Sequence, residues 1–103
     1  MQKIMNLLGI AQRARQVVSG ELAVEKFVQS GKAKLLIVAE DVSEGTRKSY
    51  MDMAKFYHVQ LISILSKEDL GAAIGKYNRA AVALSDPGFI KALIKLIDMN
   101  GKI

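Results

Sequence analysis

The chain has 103 residues, a formal net charge of +5 and no cysteine. Half of the residues are apolar, so a chain of this length can form one stable core without disulfides or metal. The lack of cysteine excludes thiol nucleophiles and thiolate metal sites, and it suits a reducing, cytoplasmic compartment. The basic charge favours a polyanionic partner, either nucleic acid or an anionic membrane. We therefore expect a single cytoplasmic domain over residues 1–103.

The apolar stretch near the N-terminus, Ile4–Ala11, does not have the pattern of a targeting segment. Asn6 interrupts it, and Arg13 and Arg15 follow it closely. No window of the chain reaches the roughly 18 apolar residues that a membrane span requires. The sequence thus predicts no membrane partner.

The first third of the chain is predicted to form two helices around a short strand. Residues 4–15 repeat apolar side chains at i, i+3, i+4 and i+7, which is typical of an amphipathic helix. The β-branched pair Val17 and Val18 favours a short strand. Ser19 is placed to cap a second helix, which is expected to end at Gly31. The predicted inward residues of that helix are Leu22, Phe27 and Val28.

Three apolar strands alternate with three helices in the rest of the chain. The predicted strands are residues 33–39, 60–65 and 80–84, and the first two are expected to be buried. The predicted helices begin after Ser43, Ser66 and Asp86, which are capping residue types, and Pro87 occupies a favourable first helical position. Alternating strands and helices indicate a small, parallel or mixed sheet that is covered on both faces. The expected fold is a three-layer α/β/α sandwich.

Residue patterns for catalysis and for cofactors are missing. Neither glycine-rich phosphate motif occurs, and the spacing of Gly71 and Gly75 is better explained if Gly75 ends a short helix. His58 is the only histidine and cannot form an ordinary zinc site alone. Asp41 follows a predicted strand, where a carboxylate can be catalytic or bind metal, but we favour a role in capping the next helix. We therefore predict no enzyme activity, no cofactor and no metal.

Basic residues cluster near the ends of the predicted elements. They are Arg13, Arg15, Lys32, Lys34, Arg47, Lys48, Lys76 and Arg79. The loops at residues 19–20, 41–43 and 75–79 are expected to converge on one edge, where Tyr77 can stack on an unpaired base. A solvated charged surface explains the same residues equally well, and the pattern leaves both interpretations open.

Three segments resemble a known family in order and spacing. They read GKAKLLIVAEDVS (31–43), DLGAAIGKY (69–77) and ALSDPGF (83–89). Together they resemble the kink-turn-binding ribosomal protein family, and the resemblance extends from about residue 4 to residue 96. The opening LGIAQRARQVVSGE (8–21) is similar to the bacterial YlxQ-type branch of that family. The resemblance implies the α/β/α sandwich and the recognition of a sharply bent RNA with sheared G·A pairs and an extruded nucleotide.

The resemblance also implies which residues contact RNA. With Arg79 added from the charge pattern, the candidates are Gly20, Glu21, Leu22, Lys26, Ser43, Arg47, Lys76, Tyr77, Asn78 and Arg79. The archaeal members carry Asn-Glu where this chain has Leu22 and Ala23. Because leucine and alanine side chains cannot hydrogen-bond a base, the contacts there are expected from the helix N-terminus, the Gly20 backbone and Lys26.

Our leading hypothesis is a non-catalytic, monomeric protein that binds structured RNA, including ribosomal RNA, in connection with translation. An alternative is a protein–protein interaction scaffold on the same fold. A third is the substrate-recognition part of an RNA-modifying enzyme, whose activity a partner would have to supply.

Overall fold

The computed structural model describes residues 1–100. Over that range the chain forms five helices and four strands, in the predicted alternation. In chain order they are α1 (Gln2–Arg13), β1 (Val17–Ser19), α2 (Glu21–Gln29), β2 (Leu35–Val38), α3 (Glu44–Tyr57), β3 (Gln60–Ser63), α4 (Lys67–Ala73), β4 (Ala81–Leu84) and α5 (Pro87–Met99).

The four strands form one mixed sheet in the order β1-β4-β2-β3. Strand β2 runs parallel to β3, whereas β4 is antiparallel to both β1 and β2. Val38 pairs with both Ser63 and Ala81, and Ser19 pairs with Val82. Strands β1, β2 and β3 therefore finish at the end of the sheet where β4 begins. We call this the upper end and the opposite end the lower end.

The sheet separates two apolar cores, which confirms the three-layer α/β/α sandwich. Leu35 and Ile37 of β2 pack towards α1, α4 and α5, whereas Leu36 and Val38 pack towards α2 and α3. All four residues of β2 are buried because the strand has a neighbour on each side and helices on both faces.

The prediction of a fully buried strand at residues 60–65 was wrong. Strand β3 lies at the edge of the sheet and pairs only with β2. Gln60 is exposed, Leu61 and Ser63 are half-buried, and only Ile62 is buried within the strand. An edge position leaves one side of a strand without a neighbour, so its side chains are less covered.

The predicted cap of α2 was wrong, and its predicted inward face was right in part. The N-cap is Gly20, with a φ of +94°, and no side chain caps the helix. Val28 is buried and Phe27 packs half-buried against the core, as predicted, but the second buried residue is Val24, whereas Leu22 is 64% exposed. At about 100° per residue, Leu22 lies on nearly the opposite side of the helix from Val24.

The other predicted caps are confirmed. The Ser43 hydroxyl accepts from the Thr46 amide at 3.2 Å, and Ser66 accepts from the Asp69 amide at 3.0 Å. Asp86 accepts from the amide of Phe89 at 3.0 Å. These bonds define where α3, α4 and α5 begin, and for α3 and α4 that place is the upper end of the sheet.

Candidate RNA-binding site

Three helices and one turn meet at the upper end of the sheet. Helices α2, α3 and α4 begin there, directly after β1, β2 and β3, and the turn at residues 74–80 leads into β4. A cleft of about 260 Å³ runs between α2, α3 and this turn. Its lining residues are Gly20, Glu21, Thr46, Tyr50, Asn78, Arg79, Ala80 and Ala81. The structure thus brings together the three loops that were expected to converge.

The start of α2 presents backbone donors that no side chain caps. Gly20 takes a positive φ that disfavours any residue with a Cβ, and its carbonyl accepts from the amide of Val24 at 2.9 Å. The side chains of Leu22 and Lys26, both exposed, lie on the solvent side of this helix. Serine side chains already occupy amides at the starts of α3 and α4. The uncapped amides at the start of α2 are therefore the best suited to bind an anion or a base edge.

The turn after α4 is held close to that helix by backbone contacts. The Lys76 amide donates to the carbonyl of Gly71 at 2.9 Å, and Gly75 has a φ of +71°. A Cβ on Gly71 would lie only 2.9 Å from backbone atoms of Tyr77 and Asn78, so the turn requires glycine at this position. The positive φ of Gly75 just after α4 confirms the expectation that this glycine ends the short helix.

Tyr77 stands out from the turn with 84% of its surface exposed. Large aromatic side chains are usually well covered in folded proteins, so an exposed tyrosine on a fixed turn is a natural stacking platform. Lys76 and Asn78 flank it and are exposed as well. These three predicted residues form one accessible group at the upper end.

Arg79 connects the turn to the strand at the far edge of the sheet. Its guanidinium donates to the carbonyls of Tyr77 at 2.7 Å and Asn78 at 3.0 Å, and its Nε donates to the Ser19 hydroxyl at 3.4 Å. Its backbone amide also donates to the carbonyl of Lys67 at 3.0 Å. The contacts within the protein make Arg79 a residue that positions Tyr77.

Arg47 has a comparable role between β2 and β3. It donates to the Ser63 hydroxyl at 3.0 Å and to the carbonyl of Glu40 at 2.6 Å. Asp41 was expected to cap the helix that follows it, but its carboxylate instead accepts from the amide of Lys67 at 2.8 Å and so caps α4. The contacts of Arg47 with Ser63 and of Asp41 with Lys67 join segments that are far apart in sequence, and they fix the ends of the strands beneath the site.

The upper end carries both signs of charge. The cations at or beside it are Lys26, Arg47, Lys67, Lys76 and Arg79. The carboxylates are Glu21, Glu40, Asp41, Glu44, Glu68 and Asp69. Helices α2 and α3 each add about half a positive charge where they begin, so the two signs are close to balanced. Without a large positive excess, this end has little general attraction for a nucleic-acid backbone. Its donors and its exposed aromatic ring instead suit recognition of a particular shape or of unpaired bases.

Tyr50 of α3 lines the cleft where α2 and α3 face each other. Its ring is buried, and burial raises the pKa of the phenol, with smaller upward contributions from Glu21 and Glu25. The folded protein therefore holds this tyrosine neutral at a pH where an unfolded chain ionises it, since tyrosine has an ordinary pKa of about 10.

The stability of the protein is expected to fall as pH rises above about 10, because the unfolded state then loses the Tyr50 proton before the folded state does. The variant Tyr50→Phe, which lacks the ionisable hydroxyl but keeps the ring, should lose less stability over the same rise in pH. Denaturant unfolding of both proteins over that alkaline range tests the expectation. Parallel curves for the two proteins would contradict it.

Groups that could bind metal or cross a membrane were sought throughout residues 1–100. Within that range no three His, Cys, Asp or Glu side chains lie close enough together to hold a metal ion. None of the helices described there is both long enough and apolar enough to cross a bilayer. His58 ends α3 in a left-handed conformation with a φ of +58° and is exposed.

Comparison with known families identifies the class of protein to which this sandwich belongs. The model of the family described as "Ribosomal protein L7Ae/L30e/S12e/Gadd45 family" matches residues 2–94. The chain therefore belongs to this family, as its three segments indicated.

Individual relatives support the bacterial branch. The chain is 45% identical over 92 residues to "RNA-binding protein YlxQ" of Bacillus subtilis, covering 89% of this chain and 92% of that protein. It is 30% identical over 97 residues to "Large ribosomal subunit protein eL8" of Thermoplasma volcanium, covering 93% of this chain and 80% of that protein. A solved structure of a protein of unknown function from Bacillus halodurans is 38% identical, with a TM-score of 0.88, and the match covers 95% of this chain and 99% of that one.

Proposed function

We propose that residues 1–103 form one non-catalytic RNA-binding domain whose upper end recognises a sharply bent RNA. The observation that carries this proposal is the convergence of the uncapped start of α2 with the turn that bears Tyr77. A bent RNA exposes unpaired bases and crowded phosphates at one place, and such features are what proteins read in structured RNA.

Each part of the upper end has a separate task in this proposal. The first amides of α2 donate to a phosphate or to the edge of a G·A pair, and Lys26 and Lys76 contact flanking phosphates. Tyr77 stacks on an extruded base. Ser43, Arg47 and Arg79 hold the surrounding loops in place through the hydrogen bonds described above.

The relatives support RNA as the partner and the ribosome as the setting. One is described as an RNA-binding protein, and another is a protein of the large ribosomal subunit. We extend both to this chain as a proposal: a monomer in the cytoplasm that works on ribosomal or other structured RNA in connection with translation.

Leu22 and Ala23 change how the start of α2 meets the RNA. Leu22 is 64% exposed, so its side chain is free to cover the apolar face of a base or ribose. Specificity at this position then comes from backbone donors and shape, without polar side chains. We infer that the bent structure is recognised even though the Asn-Glu pair is absent.

A titration with two RNAs tests the proposal. One is a hairpin with a kink-turn, and the other is a straight duplex of the same length and base composition, each at low and at physiological salt. We expect the preference for the kink-turn to persist at the higher salt concentration, because a site with nearly balanced charge gains little from counterion release. Equal binding of the two RNAs would contradict the proposal, as would no binding of either.

The exposed Leu22 also supports a second candidate function, a protein-interaction scaffold. A partner protein would bury this exposed side chain, since the centre of a protein interface is more apolar than its rim. A Leu22→Lys variant separates the two functions. For an RNA-binding surface the added charge leaves binding intact or strengthens it, whereas a protein interface loses its apolar contact.

A further inference from the structure

The lower end of the sheet carries a compact group of cations that the proposed site does not use. They stand where α1 ends and where α2 leads into β2. We name Arg13, Arg15, Lys32 and Lys34 the basic end. All four side chains are exposed. The two loops that carry them come together because of the order of the strands.

The strand pairing fixes the distance between the two loops. Val17 and Leu35 both pair with Leu84, so they flank the same residue of β4. Neighbouring strands lie about 4.8 Å apart, which places the starts of β1 and β2 about 10 Å from each other. The amide of Lys34 donates to the carbonyl of Leu84 at 2.9 Å, so this arrangement extends to the loop itself.

Backbone hydrogen bonds hold both loops rigid. The Gln16 amide donates to the carbonyl of Ala11 at 2.9 Å, and Arg15 adopts a left-handed conformation with a φ of +60°. On the other loop, Gly31 has a φ of +82° and its amide donates to the carbonyl of Val28 at 3.1 Å. Fixed backbones reduce the entropy that the cations would lose on binding a partner.

The charge of the basic end is not neutralised within the protein. None of its four cations has a carboxylate within 4.0 Å among residues 1–100. Asp86, two residues after the end of β4, lies at this end of the sheet and uses its carboxylate to cap α5. Helices α1, α2 and α3 finish at the lower end of the sheet, where the dipole of each helix contributes about half a negative charge. Four cations exceed that contribution, so the end stays positive.

We propose that the basic end binds the phosphate backbone of duplex RNA. The inference rests on the proposed function and adds a second contact to it, for a helical segment of the RNA beside the bent one. Several fixed, unpaired cations over a short distance match a row of phosphates, and they carry no means of reading bases. The protein extends 29 × 26 × 26 Å, so the two ends contact different parts of an RNA.

Neutralising three of these cations tests the assignment. The variant Arg15→Gln, Lys32→Gln, Lys34→Gln removes three charges from the basic end. The matched control Lys3→Gln, Lys91→Gln, Lys95→Gln removes three exposed charges from helices α1 and α5, and these lysines also have no carboxylate within 4.0 Å among residues 1–100. Both are titrated with a straight RNA duplex over a range of salt concentrations, and with a minimal kink-turn hairpin as a measure of folding and of the upper end.

For the basic-end variant we expect duplex binding to weaken at least tenfold and the slope of log K against log salt to fall by about 2 to 3, while kink-turn binding stays the same. Equal effects of the variant and the control on duplex binding would overturn the inference. So would loss of binding to anionic vesicles with unchanged duplex binding, because the surface would then be for membranes. If the wild-type protein shows no preference for the kink-turn hairpin over the straight duplex, the proposed function itself is contradicted. Titration of the wild-type protein with the two RNAs measures this separately from the effect of the variant.

Discussion

A Gly71→Ala variant is expected to lose about 1 to 3 kcal/mol of unfolding free energy. The new Cβ would lie 2.9 Å from the Asn78 nitrogen, 2.9 Å from the Tyr77 carbonyl carbon and 3.0 Å from the Lys76 carbonyl oxygen. All three are backbone atoms, so the contact can be relieved only by moving the turn away from α4. Because that turn carries Tyr77, RNA binding should weaken together with stability.

Denaturant unfolding measures the effect, and Gly45→Ala is the matched control. Gly45 lies in the first turn of α3, and nothing lies within 4 Å of the Cβ it would gain. Alanine there should raise stability by up to about 1 kcal/mol, because glycine is unfavourable in helices. Similar changes in the two variants would show that the close approach at Gly71 has no energetic importance.

Tyr77→Ala is expected to weaken kink-turn binding by about 10- to 100-fold without lowering the stability of the free protein. Stacking of a base on an aromatic ring is worth about 1 to 3 kcal/mol, whereas a ring that is 84% exposed contributes little to the core. Tyr77→Phe should keep most of the affinity, since phenylalanine retains the ring. Titration of the RNA and thermal unfolding of each variant measure the two quantities separately.

Phe56→Ala serves as the matched control for the loss of an exposed aromatic ring. Phe56 is 75% exposed near the end of α3, and its ring lies edge-on to Tyr57 with 4.8 Å between the ring centres. It is far from the upper end, so its removal should leave kink-turn affinity unchanged. A similar loss of affinity in Phe56→Ala and Tyr77→Ala would refute the stacking role.

The sequence was most informative where a local interaction decides the structure. Ser43, Ser66 and Asp86 were predicted as caps because their side chains reach an amide three residues later, and no distant residue is needed for that bond. The continuous apolar run at 35–38 predicted a strand that is buried on both faces, and it forms the centre of the sheet.

Predictions that depended on strand order were less successful. Residues 60–63 have the composition of a buried strand, yet their position at the edge of the sheet follows from the pairing of β4 with both β1 and β2. Asp41 was expected to cap the nearest helix, but parallel pairing of β2 and β3 brings the start of α4 beside it. Because α2 is short and carries several apolar residues, its sequence did not decide which side of the helix faces the core, and Leu22 was placed on the wrong side.

The candidate site was predicted in outline, with less insight into the roles of its residues. The converging loops were expected from the alternation of strands and helices, and Tyr77 was singled out for stacking. That Arg47 and Arg79 donate to carbonyls and hydroxyls of the protein depends on side-chain geometry, which residue types do not reveal. The sequence also shows how many charges exist without showing that they separate into an upper end of mixed charge and a basic end.

The central claim, that the upper end binds a bent RNA, is tested most directly by mapping backbone amide resonances as the minimal kink-turn hairpin is added. We expect the largest shifts at residues 20–26 and 75–79, with smaller shifts at residues 43–47 and little change around Arg15 and Lys32. Shifts concentrated at the basic end, with none in the first turn of α2 or at Tyr77, would contradict the account.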